Sequence, residues 1–167
     1  AQLLTHKAIL IAAHDEYWTK AMRDGVETAL ATGVGIGNMG ANNSYWQCRL
    51  ENDNAGNANR TLTCYKVQTA NANLALDPQY GVTNNIVTTL WRDPLLNRPE
   101  NTLWGIMYSS DQNWPGFNVG WTVDAAATSS YLNGTGLTPG STYGTDCVGY
   151  EWDKTFSGGA LNVQVIG

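Results

Sequence analysis

The densest run of reactive side chains in this 167-residue chain is His14-Asp15-Glu16, followed by Tyr17 and Trp18. It lies directly after the apolar run at residues 8–13, which is too short for a helix and reads as a strand buried on both faces. In open α/β sheets, sites form outside the carboxyl ends of strands. Three ionisable groups there can supply a metal carboxylate, a general base or both, with a helix N-terminus nearby to stabilise negative charge. The competing reading is that Asp15 and Glu16 decorate a helix entrance while His14 bonds to backbone. A second candidate is Glu151, set with Tyr150 among bulky apolar neighbours, surroundings that ready a carboxyl for proton transfer. A half-exposed strand carboxylate is its alternative.

Other patterns carry less. Gly35, Gly37 and Gly40 match a dinucleotide fingerprint in spacing, but they follow a helix instead of opening one, which points to backbone packing at a crowded strand. Residues 51–56 resemble a calcium loop, yet Ala55 takes a ligand position and Leu62 stands where a bidentate Glu is required. A solvated loop fits better. There is no G-x-S-x-G or G-x-C-x-G elbow and no H-E-x-x-H. With only two His, any metal would be held mainly by oxygen, favouring iron, manganese, magnesium or calcium over structural zinc. Three Cys (Cys48, Cys64, Cys147) allow at most one bridge and read as free core thiols. The segment Trp91-Arg92-Asp93 reads as a local ion pair on a folded loop.

The elements that must position these groups follow from periodicity. Thr19 can cap a helix whose Met22, Val26, Ala29 and Leu30 recur at helical spacing, Gly33 stops it, and a second apolar segment fills residues 34–39. Strand, helix and strand make a βαβ unit over residues 6–40. Residues 45–50 and 61–66 read as a hairpin or a pair of strands separated by an Asn-rich loop, residues 102–108 and 118–124 as extended, and 134–144 as loop. Residues 160–166 alternate like a strand just before the chain stops, so the sequence reads as a piece of a longer protein, organised as one partial α/β domain over 1–167.

Composition narrows the partners. Nine Lys and Arg against fourteen Asp and Glu leave a net charge of −5 with no basic run, which argues against nucleic acid and anionic bilayers. No apolar run approaches the roughly 20 residues of a membrane helix. Only 14% of residues are charged and neutral polar groups fill the gap, which favours a secreted or cell-surface protein over a cytoplasmic one.

Ordered blocks along nearly the whole chain resemble one family. These are His14-Asp15-Glu16-Tyr17-Trp18, Met22-Arg23-Asp24, Gly40-Ala41-Asn42, Tyr45-Trp46-Gln47, Cys64-Tyr65-Lys66, Trp91-Arg92-Asp93, Asn97-Arg98-Pro99-Glu100, Gly105-Ile106-Met107-Tyr108, Gly134-Thr135-Gly136-Leu137 and Gly149-Tyr150-Glu151. Together they resemble the C-terminal domain of the N,N-dimethylformamidase large (beta) subunit and its relatives. The resemblance implies a three-layer α/β open sheet related to class I glutamine-amidotransferase-like domains, with extra β hairpins. It also implies an amide hydrolase acting on a small amide through a mononuclear iron held by two tyrosinates and a glutamate. Glu16 corresponds to that glutamate, His14 to the neighbouring histidine, and Glu151 to a second acidic residue near the metal. The two tyrosines are expected upstream of Ala1, so the remainder of a parent chain is an expected partner, and oligomerisation is left open. The alternative is a non-catalytic surface or binding module whose Trp114 and Trp121 contact a glycan or a protein.

Overall fold

The computed structural model describes residues 2–111, 119–149, 151–159 and 162–167. Tyr150, Trp114, Ala160 and Leu161, named above, lie outside the described residues.

The architecture is mixed α/β, with few helices and, among the described residues, four small sheets. Strand β1 (Ala8–Ile11) leads to β2 (Tyr17–Thr19), helix α1 (Lys20–Ala31) and β3 (Gly35–Asn38). β1 and β3 pair in parallel across α1, a βαβ crossover. The helix begins where Thr19 Oγ1 accepts the Met22 N–H (3.2 Å) and ends at Gly33, whose φ of +90° suits glycine. β2 pairs in parallel with β4 (Trp46–Glu51), which forms an antiparallel hairpin with β5 (Thr61–Thr63). One helical turn, α2 (Asn101–Trp104), precedes β6 (Met107–Asp111); β7 (Val119–Thr122), β8 (Thr142–Val148) and β9 (Glu151–Lys154) follow. β6 pairs with β9 and β7 with β8, both antiparallel.

The core centres on Trp18, Val26, Trp91 and Leu103, with Ile11 and Ile36 packed against it and Trp104 set edge-on to Trp18 at 5.6 Å. Indoles bury large apolar areas, and Trp18, Trp91 and Trp104 meet in this cluster.

Several expectations are corrected. β1 is not buried on both faces. Its residues alternate between exposed and half-buried, and Leu10 is 69% exposed, because among the described residues β1 pairs only with β3 and only one face meets the core. The helix face also differs. Met22 and Leu30 are largely exposed, while Arg23 is fully buried beside Val26 and Ala29. Its guanidinium is neutralised by Glu27 (2.6 Å), bonds the Pro99 carbonyl (3.2 Å) and lies 5.4 Å from the Trp91 ring centroid, so the charge is satisfied inside. Burial still lowers the Arg23 pKa, against the hydrogen bond and charge of Glu27. Residues 102–108 are not one extended segment: the Arg92–Glu100 ion pair (2.7 Å) anchors the start of α2, and Gly105 at φ +80° ends it before β6. Residues 162–167 form no strand, and the Ile166 carbonyl accepts one backbone bond, from Asp124. Arg92 bonds Glu100 while Asp93 accepts from Thr69 (2.7 and 2.5 Å), so the expected local pair is replaced by two longer-range ones.

Candidate functional site

Three segments meet at the site. The first is the turn between β1 and β2, entered through Ala13 in the left-handed region (φ +65°). The second, residues 39–44, follows β3 and holds Asn42 and Ser44 at positive φ. Gly40 lies so close to the first turn that a Cβ on it would fall 2.5 Å from the Ala13 carbonyl oxygen. The glycine spacing noted in the sequence therefore serves close backbone packing at this position. Asn43, 1% exposed, joins the two turns: its amide oxygen accepts the Asp15 N–H, and its nitrogen donates to the Ala13 carbonyl (3.3 Å), the Gly40 carbonyl (3.4 Å) and Asn38 Oδ1.

The third segment is β9. Its alternation puts Glu151 and Asp153 on one face, and both reach the second segment. Asn42 donates from its side chain to Glu151 Oε1 (3.2 Å) and from its backbone to Asp153 Oδ1 (2.9 Å). Burial raises the Asp153 pKa, the Asn42 N–H opposes that rise, and the negative charges of Glu100 and Glu151 reinforce it.

His14 closes the arrangement. Its Nε2 is 3.3 Å from Glu16 Oε2, and its Nδ1 is 3.3 Å from Glu151 Oε2 and 3.1 Å from the Ala41 carbonyl. The structure thus brings His14, Glu16 and Glu151 together, with the imidazole between the two carboxylates. Such an arrangement can move a proton from one carboxylate towards the other through the ring. The His14 side chain is about half exposed, and the two glutamates are 17% and 21% exposed, so the group is reachable from solvent. Asp15 is tied to Asn43 through its backbone and stands apart from this triad of side chains. On the far side of Glu16, the Lys66 ammonium sits 5.0 Å from the Tyr17 ring centroid and 5.5 Å from that of Trp46. A hydrogen bond with Tyr17 pushes the Lys66 pKa up, and the charge of Glu16 adds to it.

A cleft of about 920 Å³ is lined by His14, Glu151 and Asp153 together with Trp121, while Glu16 stands behind His14 and does not line it. Sequence reasoning missed Asn42, Asn43 and Asp153 as parts of the site. The adjacent asparagines just after a glycine at a strand end were the available signal, since Asn is the residue that combines left-handed backbone with side-chain bonding to nearby amides.

Among the described residues, no group of three His, Cys, Asp or Glu side chains is arranged to hold a metal ion. Glu16 offers a hard oxygen donor that suits a multivalent cation, but His14 turns its nitrogens towards carboxylates, so this chain fits such an ion at one corner of a coordination sphere.

The family model described as N,N-dimethylformamidase beta subunit-like, C-terminal, matches residues 1–166. The chain belongs to that family. No curated protein matches it.

Proposed function

We propose that this member of the family forms part of the site of an amide hydrolase, with Glu16 as a metal ligand and His14 and Glu151 as proton-transfer residues. The observation that carries the reading is the imidazole of His14 held between Glu16 and Glu151 at the end of a large cleft. An iron-dependent relative of N,N-dimethylformamidase fits these donors, with the remaining ligands contributed from outside this chain. A relation to glutamine-amidotransferase-like folds is part of this reading, and the parallel β1–α1–β3 unit is the feature compatible with it.

When bound, the iron would act as a Lewis acid on the amide carbonyl. The residues of this chain account for the protons. In the reaction, water adds to the carbonyl carbon, the C–N bond breaks, and a proton reaches the departing nitrogen, giving a carboxylate and an amine. Glu151, fixed by Asn42, accepts the proton of the attacking water. His14, in contact with Glu151, carries it onward to the leaving nitrogen. Asn42 and the Ala41 carbonyl hold both groups in register, and Asn43 keeps the two turns from drifting apart.

The test is Glu16→Ala in the full-length protein. Metal content and amidase activity should fall together while the far-UV circular dichroism is unchanged, because the substitution empties a polar corner and not an apolar core. Retention of metal with normal turnover would remove Glu16 from the ligand set. A non-catalytic binding module is the second reading, favoured by the position of Trp121 in the cleft wall, and it predicts no turnover in the metal-loaded parent.

A further inference from the structure

We infer that the amide taken by this site carries a bulky, neutral apolar group, such as an aryl ring, and that Trp121 binds it. This rests on the hydrolase reading above and adds the substrate class.

The cleft, at about 920 Å³, lies towards the upper end of the range for small-molecule sites. An amide with only methyl substituents would occupy a corner of it and leave the remaining wall in contact with water. That wall is apolar: Met39, Ile106, Val119, Trp121 and Val148 contribute to it. Met39 is 64% exposed and Val119 43% exposed, so apolar surface is kept in water next to the reactive end. The charges among the described lining residues are those of Glu151 and Asp153, with His14 beside them, and neither Lys nor Arg is included. An anionic substituent on the amide would meet two carboxylates and neither Lys nor Arg in this wall, whereas a neutral ring meets a mostly apolar one.

Trp121 is placed firmly enough to select. It sits on β7 opposite Tyr143 of β8, and its backbone N–H donates to Cys147 Sγ at 3.1 Å. Its neighbour Gly120 packs so tightly on β8 that a Cβ there would come within 2.5 Å of Thr142 Cγ2 and 2.6 Å of the Gly144 carbonyl oxygen. That packing fixes the backbone of β7 against β8, and the indole itself is backed by Gly167, where a Cβ would clash with the ring. A flat aromatic surface fixed in a cleft favours a planar or aliphatic group stacked on it.

The test uses the metal-loaded, full-length protein and three amides: N,N-dimethylformamide, N-benzyl-N-methylformamide, and the latter with a carboxylate on its ring. The expected kcat/KM for the benzyl amide is at least about tenfold above that for dimethylformamide, with the carboxylated analogue about tenfold below the benzyl amide. Trp121→Ala should bring the benzyl-to-dimethyl ratio close to one, mainly through KM, while Trp121→Phe should keep most of the preference. Binding of the benzyl amide is followed separately by tryptophan fluorescence. Hydrolysis of dimethylformamide with no preference for the benzyl amide would overturn this inference and leave the hydrolase reading standing. Saturable binding of the benzyl amide, abolished in Trp121→Ala, with no hydrolysis of any amide would support the ligand class and defeat the hydrolase reading. Neither binding nor hydrolysis would overturn both.

Discussion

At the scale of single residues, charge inside this protein is tolerated only where it is answered. Asp77, 1% exposed, accepts two bonds from the Arg49 guanidinium (2.7 and 2.9 Å) and the N–H and hydroxyl of Thr88 (2.7 and 2.8 Å). Burial pushes the Asp77 pKa up, but the bonds from Arg49, Thr88 and Gln79 outweigh it, and the net shift is downward. A carboxyl held low stabilises the fold above its unfolded value and loses that contribution as pH falls through the folded value. Asp77→Asn should therefore cost about 1–3 kcal/mol in denaturant unfolding at neutral pH, since it removes the charged bonds to Arg49 and Thr88 while Glu51 (2.8 Å) still answers the guanidinium. It should also remove part of the loss of stability expected as pH falls below about 3.8, the ordinary carboxyl value. Asp153 has the opposite sign. Its raised pKa means that the folded state holds the proton more tightly, so stability falls as pH rises from about 3.8 through the folded value, and Asp153→Asn should flatten that limb in pH-dependent melts. His14, Glu16 and Glu151 stand out in the sequence by type and setting, and the structure brings the three side chains into contact. Arg23 does not stand out, because a charged residue at a helical position reads as solvent-facing until Trp91, Glu27 and Pro99 are known to surround it.

At the scale of elements, local signals gave boundaries and tertiary contacts decided burial. The helix start at Thr19 and its stop at Gly33 were readable from side-chain capping and backbone freedom, which act within one turn. Thr19→Ala should cost about 1 kcal/mol, measurable as a shift of the unfolding midpoint at constant m-value. The exposure of β1 was not readable, since an apolar run says that a strand forms and says nothing of how many neighbours it finds. The same limit explains residues 102–108, where the buried carboxylate of Glu100, held by Arg92, sets a helical turn within an apolar stretch. Gly40 is the element-scale counterpart of the site. Gly40→Ala has no space beside the Ala13 carbonyl, so the turn carrying His14 must move. Loss of most amidase activity in the parent protein, with only a modest fall in melting temperature, is the expected result.

At the scale of the whole molecule, the small sheets are joined by polar turns and side-chain bridges as much as by a common core, and the proposed metal ligand Glu16 belongs to no group of three candidate ligands among the described residues. The isolated chain should accordingly retain no stoichiometric iron after dialysis, as measured by elemental content, because a single carboxylate does not form a stable site. Family-wide blocks made the extent of the likeness legible from sequence, and the family match over residues 1–166 agrees with it. The blocks carrying Glu16 and Glu151 lead to the expectation that β9 returns to the first turns, but the bonds that make the closure are not legible in them. Asn42 is bonded to Glu151 and Asp153 across separations of 109 and 111 positions. Closures of that span cost chain entropy before any contact rewards them, so they form late. During synthesis the βαβ unit leaves the ribosome long before β9 exists, and for that interval the two turns around His14 have no carboxylate of β9 to hold them. The docking of β9 onto these turns is thus a late event of folding, and a chain cut short before β9 should keep its helix and its indole cluster while lacking the His14–Glu151 contact.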